Sequence, residues 1–192
     1  MERILSTYNH GLCMFSSDML CDFLKREKIR TKMVLDFFQK DKKRYLSSLE
    51  EGIWIPLAQI DSGEYIIKLE ECDEAFDDGW EQKIEYEGFN IDVKGGLWIS
   101  DIGSLLAFDA NVLCGTERTF EDGDGTVLYS DIKYNIPNGK YLVKIKGYVR
   151  KQLLEYPNSN YGYMFSLIRV DEFNGYNNPR EEIYNFNISD ME

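Results

Sequence analysis

The stretch Val127-Leu-Tyr-Ser-Asp-Ile-Lys-Tyr134, Asn135-Ile136-Pro137-Asn138-Gly139, Lys140-Tyr-Leu-Val-Lys-Ile-Lys-Gly-Tyr-Val-Arg150 decides the fold class. Two runs rich in branched and aromatic residues flank a Pro-Asn-Gly turn. Such side chains fit a pleated, half-buried surface. Proline presets φ in the turn and glycine tolerates positive φ, so the chain reverses here.

Outward from this stretch the same signals recur. Ile53–Ile60 and Glu64–Leu69 flank Asp61-Ser62-Gly63, a hairpin pattern. Lys83–Glu87 and Phe89–Val93 flank Gly88, and Gly95-Gly96 precedes Leu97-Trp98-Ile99. Leu105–Phe108 reads as a buried strand, and Tyr161–Val170 and Glu182–Ile188 close the set. About eight to ten short strands without βαβ alternation predict a mainly β (α+β) protein, an antiparallel β-sandwich or partly open barrel. An N-terminal helical element is expected at about 17–51. Ser17 can cap it, Met19, Leu20, Phe23 and Leu24 then Met33, Val34, Phe37 and Phe38 recur at helical spacing, and Gly52 is a plausible stop. The pattern fits one broken helix or two. No Pro- or Ser-rich linker divides the 192 residues, so 1–192 reads as a single domain with a β-rich body at about 53–188.

Charge narrows the function classes. The net charge is −12, and residues 51–131 alone hold 20 Asp/Glu against 4 Lys/Arg, a charge of −16. Phosphate binding needs clustered Lys/Arg, so this field disfavours nucleic acid and anionic membrane and favours a basic protein partner. The densest run is Glu70-Glu71-Cys72-Asp73-Glu74-Ala75-Phe76-Asp77-Asp78-Gly79-Trp80-Glu81, with Phe76 and Trp80 at i, i+4 spacing. It reads in two ways: a solvated loop whose aromatics tuck into the core, or an acidic rim around an aromatic anchor for a basic partner. The expected partner-binding residues are Glu70, Glu71, Asp73, Glu74, Phe76, Asp77, Asp78, Trp80 and Glu81.

No motif establishes chemistry. The single histidine, His10, has no nucleophile motif around it. Cys13, Cys21, Cys72 and Cys114 lack metal-ligand spacing and read as reduced thiols. Glu121-Asp122-Gly123-Asp124-Gly125-Thr126 has a D-x-D-G core, but the twelfth position counted from Asp122 is Lys133, so a tight acidic turn is the better reading than a calcium loop. No catalytic residue, metal ligand or cofactor is expected. With no apolar run of about 18 residues and no leader-like start, a cytoplasmic location is expected.

Within Gly96 to Lys151, the run Leu105–Asp109, the acidic Gly-rich turn and Tyr134-Asn135-Ile136-Pro137-Asn138-Gly139-Lys140-Tyr141-Leu142-Val143 resemble small bacterial β-sandwich inhibitors. These include the competence DNA-entry nuclease inhibitor and toxin-immunity proteins. The resemblance implies a non-enzymatic inhibitor of a basic toxin or nuclease, acting by steric and electrostatic occlusion, and transfers no binding residues. Two alternatives stand beside it: a small-molecule or carbohydrate-binding β-domain whose pocket is lined by Trp54, Trp80 and Trp98, and a carboxylate-dependent hydrolase.

Overall fold

The structure is a computed structural model that describes residues 2–113, 115 and 117–191. It is mainly β. Ten strands run in chain order as β1 (Ile4–Thr7), β2 (Gly11–Phe15), β3 (Trp54–Ala58), β4 (Gly63–Leu69), β5 (Trp80–Val93), β6 (Leu97–Asp101), β7 (Arg118–Glu121), β8 (Val127–Tyr134), β9 (Gly139–Arg150) and β10 (Tyr161–Val170). They form one sheet in the order β3-β2-β6-β8-β1-β4-β10-β9-β5, with β7 added on β8. The two ends of this order nearly meet: Asp92 N–H on β5 donates to Gly52 O, just before β3, at 2.7 Å. The result is a nearly closed, barrel-like sheet.

The pairing is mixed, which corrects the antiparallel expectation. β1 lies parallel to β8 and β10 parallel to β4, while the other pairings are antiparallel. Between β2 and β3 the helical residues form three segments, α1 (Ser17–Arg26), α2 (Val34–Lys40) and α3 (Lys42–Glu50), which follow β1 and β2 rather than open the chain. Ser17 is the first residue of α1 rather than its cap, and the Ser16 hydroxyl at the cap donates instead to Lys94 O at 2.5 Å. Gly52 does end the helical region, in the left-handed conformation at φ +70.

Two apolar clusters share the strands β2, β3 and β6. Leu12, Met14, Ile55, Leu57, Leu97 and Ile99 face the interior, with Tyr65, Phe89, Tyr163 and Phe165. Cys13, Phe15, Trp54 and Trp98 point the other way, onto Leu20, Phe23, Phe38 and Tyr45 of the helices. Successive side chains alternate faces, so strands covered on both sides need unbroken apolar runs such as Gly11-Leu-Cys-Met-Phe15. Trp54 locks the outer layer: its ring stacks on Phe38 at 5.0 Å and its Nε1–H donates to Ser48 Oγ at 2.9 Å. Each such buried ring contributes roughly 1.5–3 kcal/mol.

Five local expectations are corrected. The chain between β3 and β4 turns, but these strands are not paired; β3 pairs with β2 and β4 with β1 and β10. β8 and β9, on either side of Pro137-Asn138-Gly139, are likewise unpaired with each other. Gly88 does not separate two strands: β5 runs through it, and its φ of +85 lies in an irregularity between Tyr86 and Phe89 that bends the long strand. Leu105–Phe108 is not a strand; a 3-10 turn spans Ile102–Leu105, and Leu105 and Phe108 are buried against the helices. Glu182–Ile188 is irregular rather than extended, yet Phe186 and Ile188 still enter the interior cluster.

Candidate functional site

The acidic run 70–79 joins β4 to β5. β4 ends beside Phe165, whereas β5 begins opposite Arg150 at the other end of the sheet. The connection therefore crosses the outer face of β4, β10 and β9 as a strap. Phe76 sits on this face. A Cβ at Gly162 on β10 would overlap its ring, Tyr148 packs against it at 4.6 Å between centroids, and Lys68 Nζ stands 4.5 Å over it. A bare glycine on β10 is what gives the ring its seat.

The carboxylates of the strap divide into two groups. Asp73 faces inward and pins the strap: it accepts from Arg3 Nη2 at 3.1 Å, Leu69 N–H at 2.8 Å and Tyr134 O–H at 2.9 Å. Arg3 also reaches Glu117 at 3.1 Å and covers the Tyr134 ring, so one guanidinium ties the first strand to two loops. Glu70 accepts from Ser166 Oγ and pairs with Lys146 at 3.5 Å. Glu71 accepts from Leu167 N–H at 2.7 Å, and Glu81 pairs with Lys83 at 3.0 Å. Glu74, Asp77 and Asp78 are exposed and take part in no ion pair among the described residues. Asp77 Oδ1 accepts from Gly79 N–H at 2.8 Å, which shapes the turn into β5.

The aromatics of the strap turn inward. Trp80 is only 7% exposed, with Phe76 at 4.7 Å between centroids and the Arg150 guanidinium 4.3 Å over its ring. Trp54 and Trp98 are fully buried. The three tryptophans therefore line no open pocket.

The structure brings forward a region that was not singled out in the sequence. Lys151–Asn160, between β9 and β10, carries Leu153, Leu154 and Tyr156 at 48%, 39% and 65% exposure. The loop is nevertheless held by its own bonds. Leu154 N–H donates to Asn160 Oδ1 at 2.8 Å, Asn160 Nδ2 returns to Leu154 O at 3.0 Å, and Asn158 N–H donates to Glu155 O at 3.1 Å. Lys151 N–H meets Gly79 O of the strap at 2.9 Å, and Tyr156 O–H donates to Asp122 in the β7–β8 turn. The loop thus lies between two acidic segments. Beneath it, a cleft of about 440 Å³ is lined by Tyr65, Tyr156, Tyr161, Asp61, Glu64 and Asn158. Partial burial, then Asp122 and Asp124, hold the Glu64 carboxyl above the ordinary carboxylate value. The signal for this loop was an apolar pair, Leu153-Leu154, lying outside every strand pattern.

The turn at 121–126 is tight: Asp122 N–H bonds Thr126 O and Gly125 N–H bonds Asp122 O, both at 2.9 Å. Among the described residues, no group of three or more His, Cys, Asp or Glu is arranged to hold a metal ion. His10 occupies the β1–β2 turn at φ +54. Asp131 is fully buried on β8 and is satisfied by Arg118 Nε at 2.5 Å and by Ser104 and Ser130 Oγ at 2.8 Å. Cys13 and Cys72 are free thiols, and Cys114 lies outside the described residues. No helix among the described residues is long and apolar enough to cross a membrane. No protein-family model, curated protein or solved structure matches this chain.

Proposed function

We propose that this chain is a cytoplasmic binding protein that docks on a basic protein and occludes it, as an immunity-type inhibitor does to a toxin or nuclease. The observation that carries the reading is the outward edge of the strap: Glu74, Asp77 and Asp78 are exposed, closely spaced and without ion pairs among the described residues, on a chain of net charge −12. Carboxylates of this kind add little to stability, and at low salt they draw a cationic surface into encounter. Asp73 and Trp80 take a different part in the same reading. They hold the strap in place so that its acidic edge is presented. The nearly closed sheet is taken as a partly open barrel, with a single interior cluster serving as the rigid support for the strap.

The test is affinity capture from native extract on two columns, one carrying the wild-type protein and one the variant Glu74→Lys, Asp77→Lys, Asp78→Lys. The expected result is a basic protein held by the first column, absent from the second and released by raising salt. Equal recovery from both columns would contradict the reading, as would a captured protein that is acidic.

A further inference from the structure

The loop Lys151–Asn160 presents apolar side chains to solvent. Leu153, Leu154 and Tyr156 are exposed on a backbone that the Asn160–Leu154 and Asn158–Glu155 bonds already order. Exposed apolar groups gathered on one ordered element mark an interaction surface, and preordering lowers the entropy that binding must overcome. The surroundings of the loop select the partner. On one side Lys151 is bonded to the end of the strap that carries Asp77 and Asp78. On the other, Tyr156 is bonded to the turn that carries Asp122 and Asp124, and Glu64 lines the cleft below. Lys151 is the only cation within the loop itself.

We infer that the β9–β10 loop is the anchor of the docking surface, with Leu153, Leu154 and Tyr156 as its apolar centre and the carboxylates of the strap and the β7–β8 turn as its rim, and that the occupant is a segment of a basic protein bearing lysine or arginine beside apolar side chains. This rests on the reading of the chain as a binder of basic proteins and names the surface. A second copy of the chain is a poorer occupant: a two-fold contact would set the same carboxylates against each other. Glu64 supports the assignment from a different direction. It is partly buried, and two further carboxylates stand near it. An arriving cation would relieve the repulsion among the three.

The experiment is a titration of the ¹⁵N-labelled full chain, followed by amide shifts, with an acetylated and amidated pentapeptide of alternating arginine and leucine. The same peptide with glutamine in place of arginine is the control. Shifts are expected at Leu153–Tyr161, Glu64 and Asp122–Asp124, with the glutamine peptide about tenfold weaker or more. The double variant Leu153→Ser, Tyr156→Ala should lose the response. Asp124→Asn should weaken it severalfold, and each variant's own spectrum reports whether it is folded. Shifts confined to the strap at 74–78 would overturn this anchor while leaving the basic-partner reading intact. Equal binding of the glutamine peptide would overturn the charge selection on which both rest. No shift at millimolar peptide, or an unchanged response in the double variant, would overturn the anchor.

Discussion

Replacing Asp73 by alanine should destabilise the fold, whereas replacing its neighbour Asp78 should not. Asp73 holds a part-buried guanidinium, the Leu69 amide and the Tyr134 hydroxyl, while Asp78 is exposed and forms no ion pair among the described residues. Loss of the ion pair at this half-exposed position costs about 1 kcal/mol. The Leu69 amide is orphaned and the Tyr134 hydroxyl keeps only its long bond to Ile67 O at 3.4 Å, at a cost of about 1 kcal/mol each. The total for Asp73→Ala is about 3 kcal/mol, and for Asp78→Ala it is within about 0.5 kcal/mol. With a urea dependence of about 2–3 kcal/mol per molar, the first change lowers the unfolding midpoint by about 1 M and the second leaves it in place. Urea titration followed by tryptophan fluorescence measures both, because Trp80 sits at the strap's end. Equal midpoints for the two variants would refute the assignment of Asp73 as the pin.

Three further outcomes follow from the same structure. Gly162→Ala should cost roughly 1–3 kcal/mol, since its methyl group meets the Phe76 ring, and Gly162→Ala with Phe76→Leu should recover part of that loss in the same urea assay. Glu64→Gln should raise the melting temperature at neutral pH: the native carboxyl is held above 4.5, so the ionised group opposes folding fully above its raised value, and the gain should vanish below pH 4.5; thermal melts across this range would show it. A thiol reagent at pH 8 should label exposed Cys72 in the folded protein, though slowly because burial and then Asp73 raise its pKa, and should reach Cys13 only on unfolding because burial raises that thiol well above its ordinary value.

The strand-rich class was legible because half-buried strands leave alternating and aromatic runs. Tyr161–Val170 matches β10 end to end, and the run after Pro137-Asn138-Gly139 differs from β9 by one residue. The pairing partners were not legible. Asp61-Ser62-Gly63 has the chemistry of a turn, but turn chemistry is local: β3 pairs with β2, and β4 pairs with β1 and with the distant β10. Those early strands are short, and Ser6, Thr7, Asn9 and His10 weaken their apolar signal. At the site, the carboxylates of 70–81 were visible as a run, but their directions were not. The i, i+4 spacing of Phe76 and Trp80 looks the same whether the rings face solvent or a neighbouring glycine. Only the contact of Phe76 with Gly162, 86 residues further along the chain, decides it for that ring.

The most direct measurement is the association rate with the captured partner at low and at physiological ionic strength, for the wild-type protein and for the variant Glu74→Lys, Asp77→Lys, Asp78→Lys. Charge-steered docking predicts a wild-type rate that falls steeply with salt. It also predicts a variant rate about tenfold lower at low salt with a flattened salt dependence, and unchanged unfolding midpoints for both proteins. Two folded proteins with the same rates and the same salt dependence would contradict it.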